Sequence, residues 1–144
     1  MNAGGNRKEC MTKRRKELDG IRYLRKNIAK HLLLNRVKSG LTQTECADIL
    51  GVSFQQYQKW EKGSNRIYAE QLLELCVRGK WSLETFSSKP EDILFEYEEA
   101  LHQTEYSGDT MLSERINFLK RKFQVLDELM PSITLAEREN ESIN

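Results

Sequence analysis

Glycines at 40, 51 and 63 cut the middle of the chain into pieces too short for a long regular element. Ser39-Gly40 ends an apolar periodic run. Thr42 follows, with Glu45 three residues on: a capping box, in which hydroxyl and carboxylate satisfy each other's backbone donors. The segment QTECADIL then stops at Gly51, where a left-handed backbone costs least as glycine. Ser53 caps a second short helix that runs to about Lys62 and ends at Gly63. Two short helices joined by a tight glycine turn form a helix-turn-helix pattern. Strand-like alternation appears nowhere, and no repeat with a period of about 20–50 residues is visible. The fold class expected is all-α: a five-helix domain followed by a helical, coiled-coil-like region.

Apolar spacing orients the pieces. From Ile21 to Lys38 apolar residues stand at 21, 24, 28, 32, 33, 34 and 37, a helical period. Cys46, Ile49 and Leu50 form an inner face on the first motif helix, and Tyr57 and Trp60 on the second. Phe54, in the first turn, is free to face solvent. The segment AEQLLELCV presents Leu72, Leu73 and Cys76, and Ser82 caps LETF. Residues 87–92 read as a linker, with Pro90 where a helix start tolerates proline. Residues 91–106 carry Ile93, Leu94, Tyr97 and Leu101. After them Leu112, Ile116, Leu119, Phe123, Leu126 and Met130 recur as a heptad stripe that Pro131 closes. The expected organisation is a flexible basic arm over 1–20, with its run Lys13-Arg14-Arg15-Lys16, a helix-turn-helix domain over 21–88, a helical dimerisation region over 89–134, and a disordered tail over 135–144.

The net charge of +1 hides a split: residues 1–66 carry +9 and residues 67–144 carry −8. A basic half joined to an acidic half points to a polyanion for one part and another task for the rest. Several function classes are disfavoured. No apolar run approaches the roughly 20 residues of a membrane span, and no apolar stretch follows the basic N-terminus as in a secretory signal. Cys10, Cys46 and Cys76 have no metal-ligand spacing and fit a reducing cytosol. Cys46 and Cys76 lie at apolar positions, as core thiols do. His31 and His102 stand isolated, and Glu98-Glu99 and Asp127-Glu128 read as solvated faces. No glycine-rich phosphate loop and no nucleophile–base pair is present. Neither an enzyme, nor a cofactor, nor a small-molecule ligand is expected.

The helix after Ser53, FQQYQKW, holds glutamines at 55, 56 and 58. A glutamine side chain offers a donor and an acceptor together, the pattern that pairs with adenine N6 and N7 in the major groove. Near a helix N-terminus it can reach base edges. Phe54, Gln55, Gln56 and Lys59 share that face. Lys59 can reach guanine or a phosphate, and Phe54 a thymine methyl. Gln43, opening the first motif helix, is placed to bring free backbone N–H groups to an anion. Ser53, Lys62, Ser64, Asn65 and Arg66 can add phosphate contacts, which position without reading sequence. Plain solvated surface is the competing account of the glutamines; the cap, the glycine turn and the basic half weigh against it.

Residues 28–86 resemble the phage-repressor/Cro-type, lambda-repressor-like (XRE) helix-turn-helix family. The resemblance lies in SGLTQTECADILGVSFQQYQKWEKGSNRI, with LLELC and SLETF behind it. It implies five short helices that bind operator DNA, usually as dimers. By the motif, Gln43 and Ser53 match phosphate-anchoring positions, Phe54, Gln55 and Lys59 base-reading ones, and Gln56 a backbone-contacting one. Ala47 matches a small residue needed where the motif helices pack closely. Cys46 departs from the larger aliphatic usual at its position, and the last 55 residues match no family pattern.

The heptad stripe needs a cover. A partner helix is the favoured one, with the chain's own domain as the alternative. The function expected is therefore a cytoplasmic, nucleoid-associated transcriptional repressor of bacterial or phage origin. It would bind double-stranded DNA at a palindromic operator as a homodimer, joined through Leu112, Ile116, Leu119, Phe123, Leu126 and Met130. The rival is an antitoxin or interaction adaptor acting through the acidic C-terminal helices.

Overall fold

A computed structural model describes the backbone of residues 3–103 and 110–129, and the side chains from Gly20 to Gln103 and from Met111 to Leu129. Helix α1 spans Ala3–Lys38, α2 Gln43–Leu50, α3 Phe54–Glu61 and α4 Ala69–Gly79. A 3-10 turn at Leu83–Ser87 leads to α5, Pro90–His102, and α6 spans Thr110–Leu129. No strand occurs among the described residues.

Local chemistry sets the short helices. Thr42 Oγ1 accepts from the Glu45 N–H at 3.1 Å, and the Glu45 carboxylate accepts from the Thr42 N–H at 2.8 Å, closing the capping box. Gly51 turns the chain at φ 64, in the left-handed region. Ser53 Oγ accepts from the Gln56 N–H at 3.1 Å. Pro90 occupies the first turn of α5. Ser82 precedes the 3-10 turn without a side-chain cap; Thr85 instead donates its hydroxyl to the Ser82 carbonyl at 2.8 Å.

Two apolar clusters use α1 as a common wall. The first joins Leu32 to Cys46, Ala47, Tyr57, Trp60, Leu75, Cys76, Trp81 and Phe86. The second joins Leu33 and Leu34 to Leu94, Ile116, Leu119 and Phe123. Successive residues of a helix point about 100° apart, so the run Leu32-Leu33-Leu34 feeds both sides, and all three are buried.

Five further expectations are corrected. First, the heptad stripe is covered by its own chain: Ile116, Leu119, Phe123 and Leu126 are buried, the first three against α1 and α5, and Leu112 is half-buried. It is no free dimer seam here. Met130 lies outside the described residues, as does the tail over 135–144. Second, α5 and α6 pack on α1 instead of standing apart as a separate region. Third, α1 spans Ala3–Lys38, so the described part of the segment read as a flexible arm, residues 3–20, belongs to the helix. Fourth, Ile21 and Leu24 are exposed, at the start of the apolar run. Fifth, the inner face of α4 is Leu72, Leu75 and Cys76, with Leu73 in solvent.

Charge reinforces the second layer. The Lys30 ammonium is 1% exposed and donates to Glu91 of α5 and, at 2.8 Å, to Asp127 of α6. It also lies 5.3 Å from the centre of the Phe123 ring. Lys26 adds a second contact to Asp127, at 3.1 Å. Burial pushes the Asp127 carboxyl up, but Lys30 and Lys26 outweigh it and hold the group below its ordinary value. His31 is fully buried, with Nε2 2.8 Å from the Ser88 carbonyl oxygen. Burial depresses its proton affinity more than Ser88 and Glu91 restore it.

Candidate nucleic-acid interface

Helix α3 is divided by its packing. Tyr57 and Trp60 are buried, their rings edge-to-face with centroids 6.2 Å apart. The opposite side is open: Phe54 is 39% exposed, and Gln55 and Lys59 face solvent. Gln56 is half-buried, its N–H held by Ser53. The base-reading candidates Phe54, Gln55 and Lys59 thus share one accessible face.

At the far end of α3, Glu61 is 5% exposed and organises what lies beneath that face. Arg36 reaches it through Nε at 2.5 Å and Nη2 at 3.2 Å, and Tyr57 donates its hydroxyl at 3.1 Å. Gln43 Nε2 donates to the same carboxylate at 2.7 Å. Arg36 Nη1 also donates to the Leu41 carbonyl, fixing the turn before α2. The start of α2 is thereby locked to the end of α3. Burial lowers the proton affinity of Arg36, and Glu61 more than restores it. Burial, and then the Glu61 charge, push the Tyr57 phenol well above its ordinary value, so it stays a donor. Burial likewise raises the Cys46 thiol, in keeping with a neutral core residue.

Four of the seven phosphate candidates line two clefts, and Ser53, Gln56 and Ser64 lie outside them. Gln43 and Lys62 line one of about 260 Å³ between α2, α3 and α6. Asn65 and Arg66 line another of about 190 Å³, with Leu24, Arg25 and Trp60. The capping box takes the Thr42 and Glu45 N–H groups, which leaves those of Gln43 and Thr44, without an acceptor in the helix, to face an anion. Ser53 spends a lone pair on capping and keeps its O–H to donate. Ser64 is exposed, its N–H turned back to the Lys59 carbonyl at 2.9 Å. In the second cleft Arg25 is lowered from its ordinary value by burial and then by the charges of Arg66 and Arg22. Three cations gathered this closely favour an anion among them.

Arg36, Glu61, Arg22 and Arg25 were missing from the sequence-level candidates. Glu61 left one sign: it stands four residues after Tyr57 and so shares the inward face of α3. An acid there requires a cation, but nothing local identifies Arg36, 25 residues away, as its source. Among the described residues no cluster of side chains is arranged to hold a metal ion, and no helix is long and apolar enough to cross a membrane.

Comparison with known proteins places a family match on this segment. A family model described as Helix-turn-helix matches residues 33–77. Two relatives, each named an uncharacterized HTH-type transcriptional regulator, one from Sinorhizobium medicae and one from Rhizobium meliloti, are 39% identical over 46 residues. The match covers 32% of this chain and 33% of each relative, about a third of their own length. No solved structure matches the chain.

Proposed function

We propose that this chain, which carries a helix-turn-helix domain of the phage-repressor/Cro (XRE) family within residues 33–77, is a sequence-specific DNA-binding transcription regulator. The observation that carries the proposal is the open face of α3. Phe54, Gln55 and Lys59 face solvent while Tyr57 and Trp60 anchor the same two turns. The first turn of α3 enters the major groove. Gln55 pairs with an adenine edge, Lys59 reaches guanine or a phosphate, and Phe54 meets a thymine methyl. Gln43, Ser53, Gln56, Lys62, Ser64, Asn65 and Arg66 grip the flanking phosphates and fix the register.

The regulator acts as a repressor: two copies occupy a palindromic operator, with recognition helices about 34 Å apart on successive turns of the groove, and exclude polymerase. The copies meet through a surface other than the stripe of Ile116, Leu119, Phe123 and Leu126, which the chain's own helices cover.

Selection of bound duplex from random sequence, at stated salt, tests this. A palindromic motif with a fixed half-site spacing is expected. Gln55→Ala should cost about 1–3 kcal/mol and relax preference at one base pair per half-site, leaving the rest of the motif intact. Absence of any enriched motif, or an unchanged motif for the Gln55 variant, would count against the assignment.

A further inference from the structure

The C-terminal half of the chain is acidic, at −8 over residues 67–144, yet α6 shows a basic surface beside the phosphate candidates. Lys122 lines the cleft that also holds Gln43, Lys62 and Arg36, and α6 forms its opposite wall through Phe118, Val125 and Leu129. Lys122 is exposed, with its ammonium 5.6 Å from the centre of the Phe118 ring. An aromatic face attracts a cation without cancelling its charge. Nearby acids are committed elsewhere. Glu61 is neutralised by Arg36, Asp127 by Lys26 and Lys30, and Glu98 is held by Lys120 at 2.9 Å. Lys62 and Lys122 therefore face one cleft as cations, and the acid that lines it, Glu61, is already paired with Arg36.

We propose that Lys122, from a helix outside the matched helix-turn-helix segment, grips a DNA backbone phosphate beside Gln43 and Lys62. The inference rests on the reading of this chain as a DNA-binding protein. It extends the phosphate footprint beyond the motif and makes α6 part of the DNA-facing surface. The packing of α6 on α1 is what brings the lysine there. Lys120 shares the helix and its charge but is turned to Glu98 on α5, so it makes no such contact.

The test is duplex binding by the full chain across a salt series, for the wild type, Lys122→Ala, Lys122→Arg and Lys120→Ala. Each phosphate neutralised contributes about 0.9 to the slope of log affinity against log salt. Lys122→Ala should reduce the slope by about that amount, and so bind about five- to tenfold more weakly near 0.1 M salt, with the gap closing toward 1 M. Its site preference should be unchanged. Lys122→Arg should restore the slope, and Lys120→Ala should leave it as in the wild type. Equal losses for Lys122→Ala and Lys120→Ala would indicate only a diffuse field and overturn the contact, as would an unchanged slope for Lys122→Ala. If the wild type binds no duplex, the DNA-binding reading fails and this inference falls with it. If it binds but Lys122 is silent, only the inference falls.

Discussion

The two layers that flank α1 are fastened by opposite charges. On one side a carboxylate is buried: Glu61, whose side chain is 4% exposed, lies among Arg36, Gln43 and Tyr57. On the other a cation is buried: Lys30, whose side chain is 1% exposed, reaches Glu91 and Asp127, which are 42% and 49% exposed. The difference is in what happens when the central group is lost. Among the groups around Glu61, Tyr57 is fully buried and the Arg36 side chain only 12% exposed, so these two rehydrate poorly. Partners of Lys30 already stand half in solvent and can rehydrate where they are. The first layer is therefore locked, and the second is latched at its rim.

Glu61→Ala should show the largest effect. It strands a largely buried guanidinium, a change that costs up to about 3–5 kcal/mol, and it frees Gln43. A urea midpoint should fall accordingly, with affinity for DNA declining alongside. Lys30→Met should cost far less, about 1 kcal/mol or below, because both carboxylates regain water and an apolar chain of similar length fills the site. Equal losses for the two variants, measured in the same buffer, would erase the distinction between lock and latch. A wild-type titration of thermal midpoint against pH should show the smallest effect, carried by His31 and Asp127. His31 is depressed below its ordinary value of 6.5, so its contribution is complete above that pH and drains away as the pH falls below it. Asp127 is depressed below 3.8, so its contribution persists to lower pH and is lost as the pH falls through its folded value. Asp127→Asn should remove the lower phase alone. If that substitution also abolished the decline just below pH 6.5, His31 would not be its source.

What could be read in the residues follows the reach of each interaction. The Thr42–Glu45 box, the Gly51 turn and the Ser53 cap each join residues only three or four apart, so their signals lie side by side in the chain. Tyr57 and Trp60 were legible as core because one helix face places them together, and Phe54, Gln55 and Lys59 as surface for the same reason. The heptad stripe on α6 states that burial is required but not what supplies it. Its cover includes Leu33 and Leu34, which belong to a helix near the other end of the chain. Lys30 looked like one more charge in a basic half, since its partner Asp127 lies 97 residues away. Lys122 was hidden the same way, inside a segment whose overall sign is negative.

Leu32, Leu33 and Leu34 carry a constraint on how such a chain can change over evolutionary time. Removing or adding a single residue among them would rotate everything beyond by about 100°, presenting each leucine to the wrong neighbour. This stretch cannot lengthen, because it sets the phase between the helix-turn-helix and the helices packed behind it. An exchange of C-terminal helices between relatives should succeed only where that phase is kept.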